Sequence, residues 1–155
     1  MTKEFKDMKG VIAIATTPFN NENLIDFESV DRLSNYYIES KVSGVTILGV
    51  MGEAHKLNIE EQKTLIKRYV NNLINSVPVI VGVSNAGLDN LELLSKFSMD
   101  SGASGVMVSG NNGLKNDDQI KSYFNQVVDR TQDIPICLQD YPVSYTHLTL
   151  PTNPE

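Results

Sequence analysis

The residues of this 155-residue chain that are best suited to chemistry lie in one segment, 44–57, which reads GVTILGVMGEAHKL. A β-branched and apolar run at 45–48 leads into a turn flanked by Gly49 and Gly52, and a helix is predicted to begin near Asn58. The pattern is a strand, a loop of exposed amides and a helix. In a parallel α/β protein such a loop lies at the C-terminal end of a strand, where ligands bind.

Strand and helix patterns alternate along the chain around this segment. The predicted strands lie at 11–15, 45–48, 77–81, 106–108 and 134–138. The residues predicted to cap the helices are Asp26, Asn58 (in a capping box with Glu61), Asp89 and Asn116. The strands are apolar without polar alternation, which is typical of parallel sheets buried on both faces.

The spacing of these elements predicts the fold class. The strands recur about every 30 residues, one βα unit each, and residues 43–49 resemble residues 104–110. Such repetition favours an α/β fold of the (β/α)8 TIM barrel type, truncated to about the first five βα units. A complete, doubly wound open sheet is the alternative.

Composition narrows the classes of partner. The chain has 13 basic and 19 acidic residues, a net charge of −6, and no basic patch, so we expect neither nucleic acid nor an anionic membrane as a partner. The N-terminus shows no apolar signal region, and Cys137 is the one cysteine, so a cytoplasmic location is expected. No cluster has metal-ligand spacing, and no Walker-type phosphate loop occurs.

Three motifs in order carry a family resemblance. They are 10–13 leading to Thr17-Pro18-Phe19, then Gly49-x-x-Gly52-Glu53 followed by Leu57 and Glu61, then 78–82. Over residues 8–142 the chain resembles the dihydrodipicolinate synthase/N-acetylneuraminate lyase family. The resemblance implies a TIM barrel and class I aldolase, lyase or dehydratase chemistry on a 2-oxo acid. It also implies no metal or other cofactor, and commonly a homotetramer.

The resemblance also implies roles for residues of the loop. In the family a lysine amine forms a Schiff base with the 2-oxo group of the substrate. The neighbouring carboxylate would accept hydrogen bonds from the backbone amides of Val50 and Met51, with Gly49 and Gly52 permitting the turn. Glu53 and Thr17 would support this site. The alternative is a tight βα turn in which Val50 and Met51 pack in the core.

The chain departs from the synthase pattern at the positions that relay protons. Val50 and Met51 stand where that subgroup has threonines, and Gln139 stands in the position of its general-acid tyrosine. Tyr141, two residues further on, is a candidate substitute as proton donor, although a loop aromatic is the alternative. Because a methyl group or a thioether cannot relay a proton, dihydrodipicolinate synthesis is not the expected reaction. The substrate is left as pyruvate or a keto-deoxy sugar acid.

The family's lysine belongs to a sixth strand, which this chain does not reach. We therefore interpret residues 1–144 as the N-terminal part of a barrel that is inactive by itself, with open edges and a tendency to aggregate. Residues 145–155 lack helical periodicity, and their start resembles a frame of a transposon-based sequencing adapter. They are predicted to be non-native; an ordinary disordered tail is the alternative. Two other functions remain open: a small-anion-binding α/β module, or a non-catalytic paralogue.

Overall fold

The computed structural model describes residues 8–111 and 113–140 as alternating strands and helices. The strands are β1 (Ile12–Ile14), β2 (Gly44–Ile47), β3 (Val79–Gly82), β4 (Gly105–Ser109) and β5 (Ile136–Gln139). The helices between them are α1 (Phe27–Glu39), α2 (Ile59–Leu73), α3 (Leu88–Asp100) and α4 (Asp117–Thr131), and a 3-10 turn covers Ala54–Lys56.

The order of the strands in the sheet decides between the two predicted architectures. All neighbouring strands pair in parallel, and their spatial order β1-β2-β3-β4-β5 is their order in the chain. In a doubly wound sheet the spatial order of the strands differs from their order in the chain, as in the order 2-1-3-4-5. The prediction of a barrel segment of five βα units is therefore confirmed, and the doubly wound alternative is wrong.

Local capping explains where most of the helices begin. Asp26 accepts a hydrogen bond from the Ser29 amide at the start of α1, and Asn116 does the same for Gln119 in α4. Asn58 and Glu61 form the predicted capping box of α2. The prediction for α3 is wrong by two residues, since Gly87 is its N-cap and Asp89 lies inside the first turn.

The core lies between the sheet and the helices. One set of alternating strand residues packs against the buried helix faces. These strand residues are Val45, Ile47, Val79, Val81, Val106 and Val108. Residues of the other parity, such as Met107, face the opposite, concave side of the sheet. Cys137 pairs with Met107 in register and is only partly buried, although its strand was predicted to be buried on both faces.

The two outer strands are less buried than the middle ones. Every residue of β2 and β3 is buried, whereas Ile14 of β1 is 39% exposed and Leu138 of β5 is 48% exposed. Each outer strand pairs with a neighbour on one side only among the described residues. The predicted tendency to aggregate thus has a structural basis but stays a prediction. Within residues 8–111 and 113–140, no helix has the length and apolar character needed to cross a bilayer.

Candidate functional site at the C-terminal edge of the sheet

The loop after β2 forms a tight turn with exposed side chains. The Gly52 amide donates to the Gly49 carbonyl at 3.1 Å, and the Glu53 amide donates to the Val50 carbonyl at 3.1 Å. The side chains of Val50 and Met51 are 48% and 58% exposed. The alternative in which they pack in the core is therefore wrong.

The amides of Val50 and Met51 are the groups that the resemblance assigns to a substrate carboxylate. Within the described part of the chain, neither amide donates a hydrogen bond to another group. Both residues have negative φ, as a type I turn requires. Two adjacent uncommitted amides at a turn are suited to donating hydrogen bonds to an anion. Their role in this chain stays a prediction.

Gly49 places this turn beside the concave face of the sheet. A Cβ added at Gly49 would lie 3.4 Å from Met107 Cε and 3.6 Å from Ile14 Cγ2, which is ordinary van der Waals contact. The turn itself therefore tolerates a methyl group at Gly49. The methyl group would instead occupy space above the concave face, where a ligand of the loop would lie.

Two close contacts hold the loop against the segment that follows β1. Thr17, which is 7% exposed, donates through Oγ1 to the Gly52 carbonyl at 2.6 Å. A Cβ at Gly52 would lie 3.1 Å from the Leu48 amide nitrogen and 3.3 Å from the Ala15 carbonyl oxygen, so any larger residue requires the backbone to shift by a few tenths of an ångström. Thr17 has the position expected of a residue that supports the loop.

Glu53 contributes to the turn through its backbone. Its backbone amide closes the turn, while its carboxylate pairs with the Lys56 ammonium and not with a loop amide. The hydrogen bond from Lys56 lowers the pKa of the Glu53 carboxyl, so it is ionised at neutral pH. Glu53 has a left-handed φ of 53°. The neighbouring His55 is exposed.

The end of β5 carries the residue in the family's tyrosine position. Gln139 is the last residue of β5, is partly buried and lies in register with Ser109 of β4. Tyr141, its candidate substitute, lies outside the described residues, and so does the predicted non-native segment 145–155. Asn111, which lies two residues after the end of β4, is partly buried.

Sequence reasoning missed a pair of serines at the same edge. Ser109 ends β4, and Ser84 follows β3 by two residues. The Ser109 amide donates to Ser84 Oγ at 2.9 Å, and the two hydroxyl oxygens lie 3.1 Å apart. The sequence pattern that could have predicted this pair is that each serine comes at the end of an apolar strand, in the same position as the Gly49 turn after β2.

The described strands carry no nucleophilic amine. None of the five strands contains a lysine. Lys63 and Lys67 lie on α2, with their ammonium groups 5.7 Å and 5.3 Å from the centroid of the Phe97 ring. Lys96 and Lys121 lie on α3 and α4. Among residues 8–111 and 113–140, no group of three or more His, Cys, Asp or Glu side chains could hold a metal ion.

The fold and the position of the loop define the class of the protein. It contains a five-stranded segment of a parallel α/β barrel, with a turn of uncommitted amides at the C-terminal edge of the sheet. A sequence model of the Dihydrodipicolinate synthetase family matches residues 7–152. The chain belongs to this family, which is one of lyases and aldolases. The match extends into 145–155, whose non-native origin stays a prediction.

Relatives with known names agree with this assignment. A 4-hydroxy-tetrahydrodipicolinate synthase of Methanocaldococcus jannaschii is 30% identical over 135 residues, which are 86% of this chain and 46% of that protein. The corresponding enzyme of Thermotoga maritima is 35% identical over 100 residues, 64% of this chain and 34% of that protein. The chain thus spans less than half the length of these relatives.

Solved structures give the same picture. Dihydrodipicolinate synthase from Rhodopseudomonas palustris is 42% identical with a TM-score of 0.82, over 86% of this chain and 44% of that one. An E. coli K12 prophage protein of the family, solved in complex with pyruvate, is 26% identical with a TM-score of 0.80, over 87% and 45%. Proteus mirabilis N-acetylneuraminate lyase shares the fold, with a TM-score of 0.81 and 18% identity over 89% of this chain and 48% of that one.

Proposed function

We propose that this chain supplies the carboxylate-binding part of an active site that forms a Schiff base with a 2-oxo acid. The observation that carries the proposal is the pair of uncommitted amides at Val50 and Met51, at the C-terminal edge of the sheet. Family membership supports it, as does the pyruvate in the E. coli relative. The complete protein would be a lyase, aldolase or dehydratase without a metal or other cofactor, and a homotetramer located in the cytoplasm.

The chemistry of the loop explains how these residues would act. Two amide dipoles directed at one carboxylate fix its position and leave the adjacent 2-oxo carbon exposed to a nucleophile. Amides donate whatever the side chain is, so Val50 and Met51 retain this role without threonine hydroxyls. They do not supply a proton relay, and Gln139 is a poor acid at neutral pH. We therefore propose a reaction other than dihydrodipicolinate synthesis.

Titration of the ¹⁵N-labelled chain with pyruvate tests the carboxylate site. We expect pyruvate to shift the amide resonances of Val50 and Met51, and methyl pyruvate, which has no carboxylate, to leave them in place. Val50 is the second residue of the turn, where proline is accommodated. Val50→Pro removes one donor and should weaken pyruvate binding about tenfold, the value of a hydrogen bond to a charged group.

Val50→Ala is the matched control, because it changes the side chain and keeps the amide. It should bind pyruvate as the unchanged chain does. Equal loss of affinity in both variants, or pyruvate shifts confined to other parts of the protein, would contradict a carboxylate site at this turn.

Borohydride reduction in the presence of pyruvate tests the chemistry. Because the described strands carry no lysine, we expect no covalent pyruvate adduct on this chain by mass spectrometry. The second candidate function, an anion-binding or non-catalytic paralogue, would use the same two amides without a lysine. An adduct on any lysine of this chain would overturn the prediction and would identify the nucleophile.

A further inference from the structure

The Ser84–Ser109 pair has the hydrogen-bonding capacity to recognise an alcohol. Two hydroxyl groups carry two protons and four lone pairs. One hydroxyl proton is used in the hydrogen bond between the two serine oxygens. One lone pair of Ser84 Oγ accepts the hydrogen bond from the Ser109 amide. One proton therefore remains to be donated, whichever serine carries it, beside lone pairs that can accept. Within the described residues no other group uses this capacity.

This pattern discriminates between kinds of ligand group. An alcohol both donates and accepts, so it can satisfy the remaining proton and a lone pair together. A carboxylate has no proton to donate to the lone pairs, and a methyl group would leave the proton without an acceptor. Ser84 is exposed and Ser109 is partly exposed, so a ligand above the sheet can reach them.

The pair lies on the same side of the sheet as the Gly49–Gly52 turn. Met107 precedes Ser109 by two residues, so the two side chains lie on the same face of β4. On that face Met107 Cε lies 3.4 Å from the position of a Cβ added at Gly49. Since β2 and β4 are separated by two strand spacings, the turn and the pair are about 10 Å apart across the sheet. Pyruvate held at the turn is too short to contact both.

We propose that the Ser84–Ser109 pair binds a hydroxyl group of the substrate beyond its 2-oxo acid end, so that the site recognises polyhydroxy 2-oxo acids. The inference rests on the proposed function, because the carboxylate at the turn sets the position of the rest of the substrate. The two serines determine specificity and take no part in the chemical step.

Titrations with 2-keto-3-deoxygluconate and with pyruvate test the proposal on the ¹⁵N-labelled chain. The hydroxylated acid, and not pyruvate, should shift the amide resonance of Ser109, which donates to Ser84 Oγ. Ser84→Ala and Ser109→Ala should each lower the affinity for 2-keto-3-deoxygluconate about 3- to 10-fold, the range for one hydrogen bond, and leave that for pyruvate unchanged. Ser109→Thr retains the hydroxyl and should restore binding.

Ser104→Ala is the control, because Ser104 precedes the same strand at its opposite end. It should not change either affinity, and circular dichroism should show each variant folded. The inference is overturned, and the proposed function stands, if pyruvate binds at the turn but the serine variants lower both affinities equally or neither. If neither acid shifts the amides at 49–53, the proposed function fails and the inference fails with it.

Discussion

Replacing Gly82 by alanine should lower the free energy of unfolding by about 3 kcal/mol or more. Gly82 is the last residue of β3, and an added Cβ would stand 2.2 Å from the Leu48 carbonyl oxygen and 2.7 Å from its carbonyl carbon. Both are backbone atoms, so no side-chain rotation can relieve the overlap. Because β3 would have to move away from the segment that begins the Gly49 turn, we expect pyruvate binding to be lost as well.

Urea denaturation followed by circular dichroism measures this effect. Gly87→Ala is the matched control, since Gly87 lies shortly after β3, has a φ of −93°, and would place a Cβ no closer than 3.6 Å to Asn85 Oδ1. It should cost no more than about 1 kcal/mol, because alanine is a poorer helix N-cap than glycine but meets no steric overlap here. Similar denaturation midpoints for the two variants would show that the Gly82–Leu48 approach is not a constraint.

Raising the pH above about 10 should destabilise the protein steeply, because burial raises the pKa of Tyr37, Tyr69 and Tyr123. Their side chains are buried in the folded state, whereas in the unfolded chain they ionise near pH 10. The stability that these neutral phenols contribute is therefore fully present below pH 10 and is lost as the pH rises above it. Each tyrosine can contribute up to about 1.4 kcal/mol per pH unit.

Unfolding free energies from urea titrations at pH 8, 10 and 11 check this dependence. Tyr69→Phe should reduce the slope above pH 10, at a cost of about 1 kcal/mol at pH 8, because the Tyr69 hydroxyl donates to the Thr16 carbonyl at 3.2 Å. Tyr36→Phe, at a site 62% exposed, should leave the slope nearly unchanged. A free energy independent of pH from 8 to 11 would be incompatible with buried phenols.

Local features of this protein could be predicted from its sequence. Asp26 and Asn116 cap their helices, and Asn58 forms its capping box with Glu61, because each cap involves backbone groups two or three residues away. The apolar face of α2 follows helical periodicity and is buried: Leu65, Tyr69 and Leu73 are each at most 1% exposed. Glycine spacing located the turn after β2, and its ordered motifs identified the family.

The partners of side chains in the candidate site were harder to predict than the helix caps, even where the partner lies only a few residues away. Glu53 was predicted to support the site, but its carboxylate partner, Lys56, and its left-handed backbone were not predicted. Cys137 and Leu138 were both assigned to a buried strand. They are partly exposed because β5 pairs on one side only among the described residues.

The sequence by itself determined the elements, their caps and the loop that would bind a carboxylate. Only the tertiary structure decided the strand order that makes the sheet a barrel segment, and the contact of Gly82 with Leu48. It alone joined Ser84 to Ser109 across 25 positions of sequence. The physical reason is that caps and periodic faces depend on residues within one or two helical turns, whereas these contacts depend on the register of parallel strands, which long crossover connections separate.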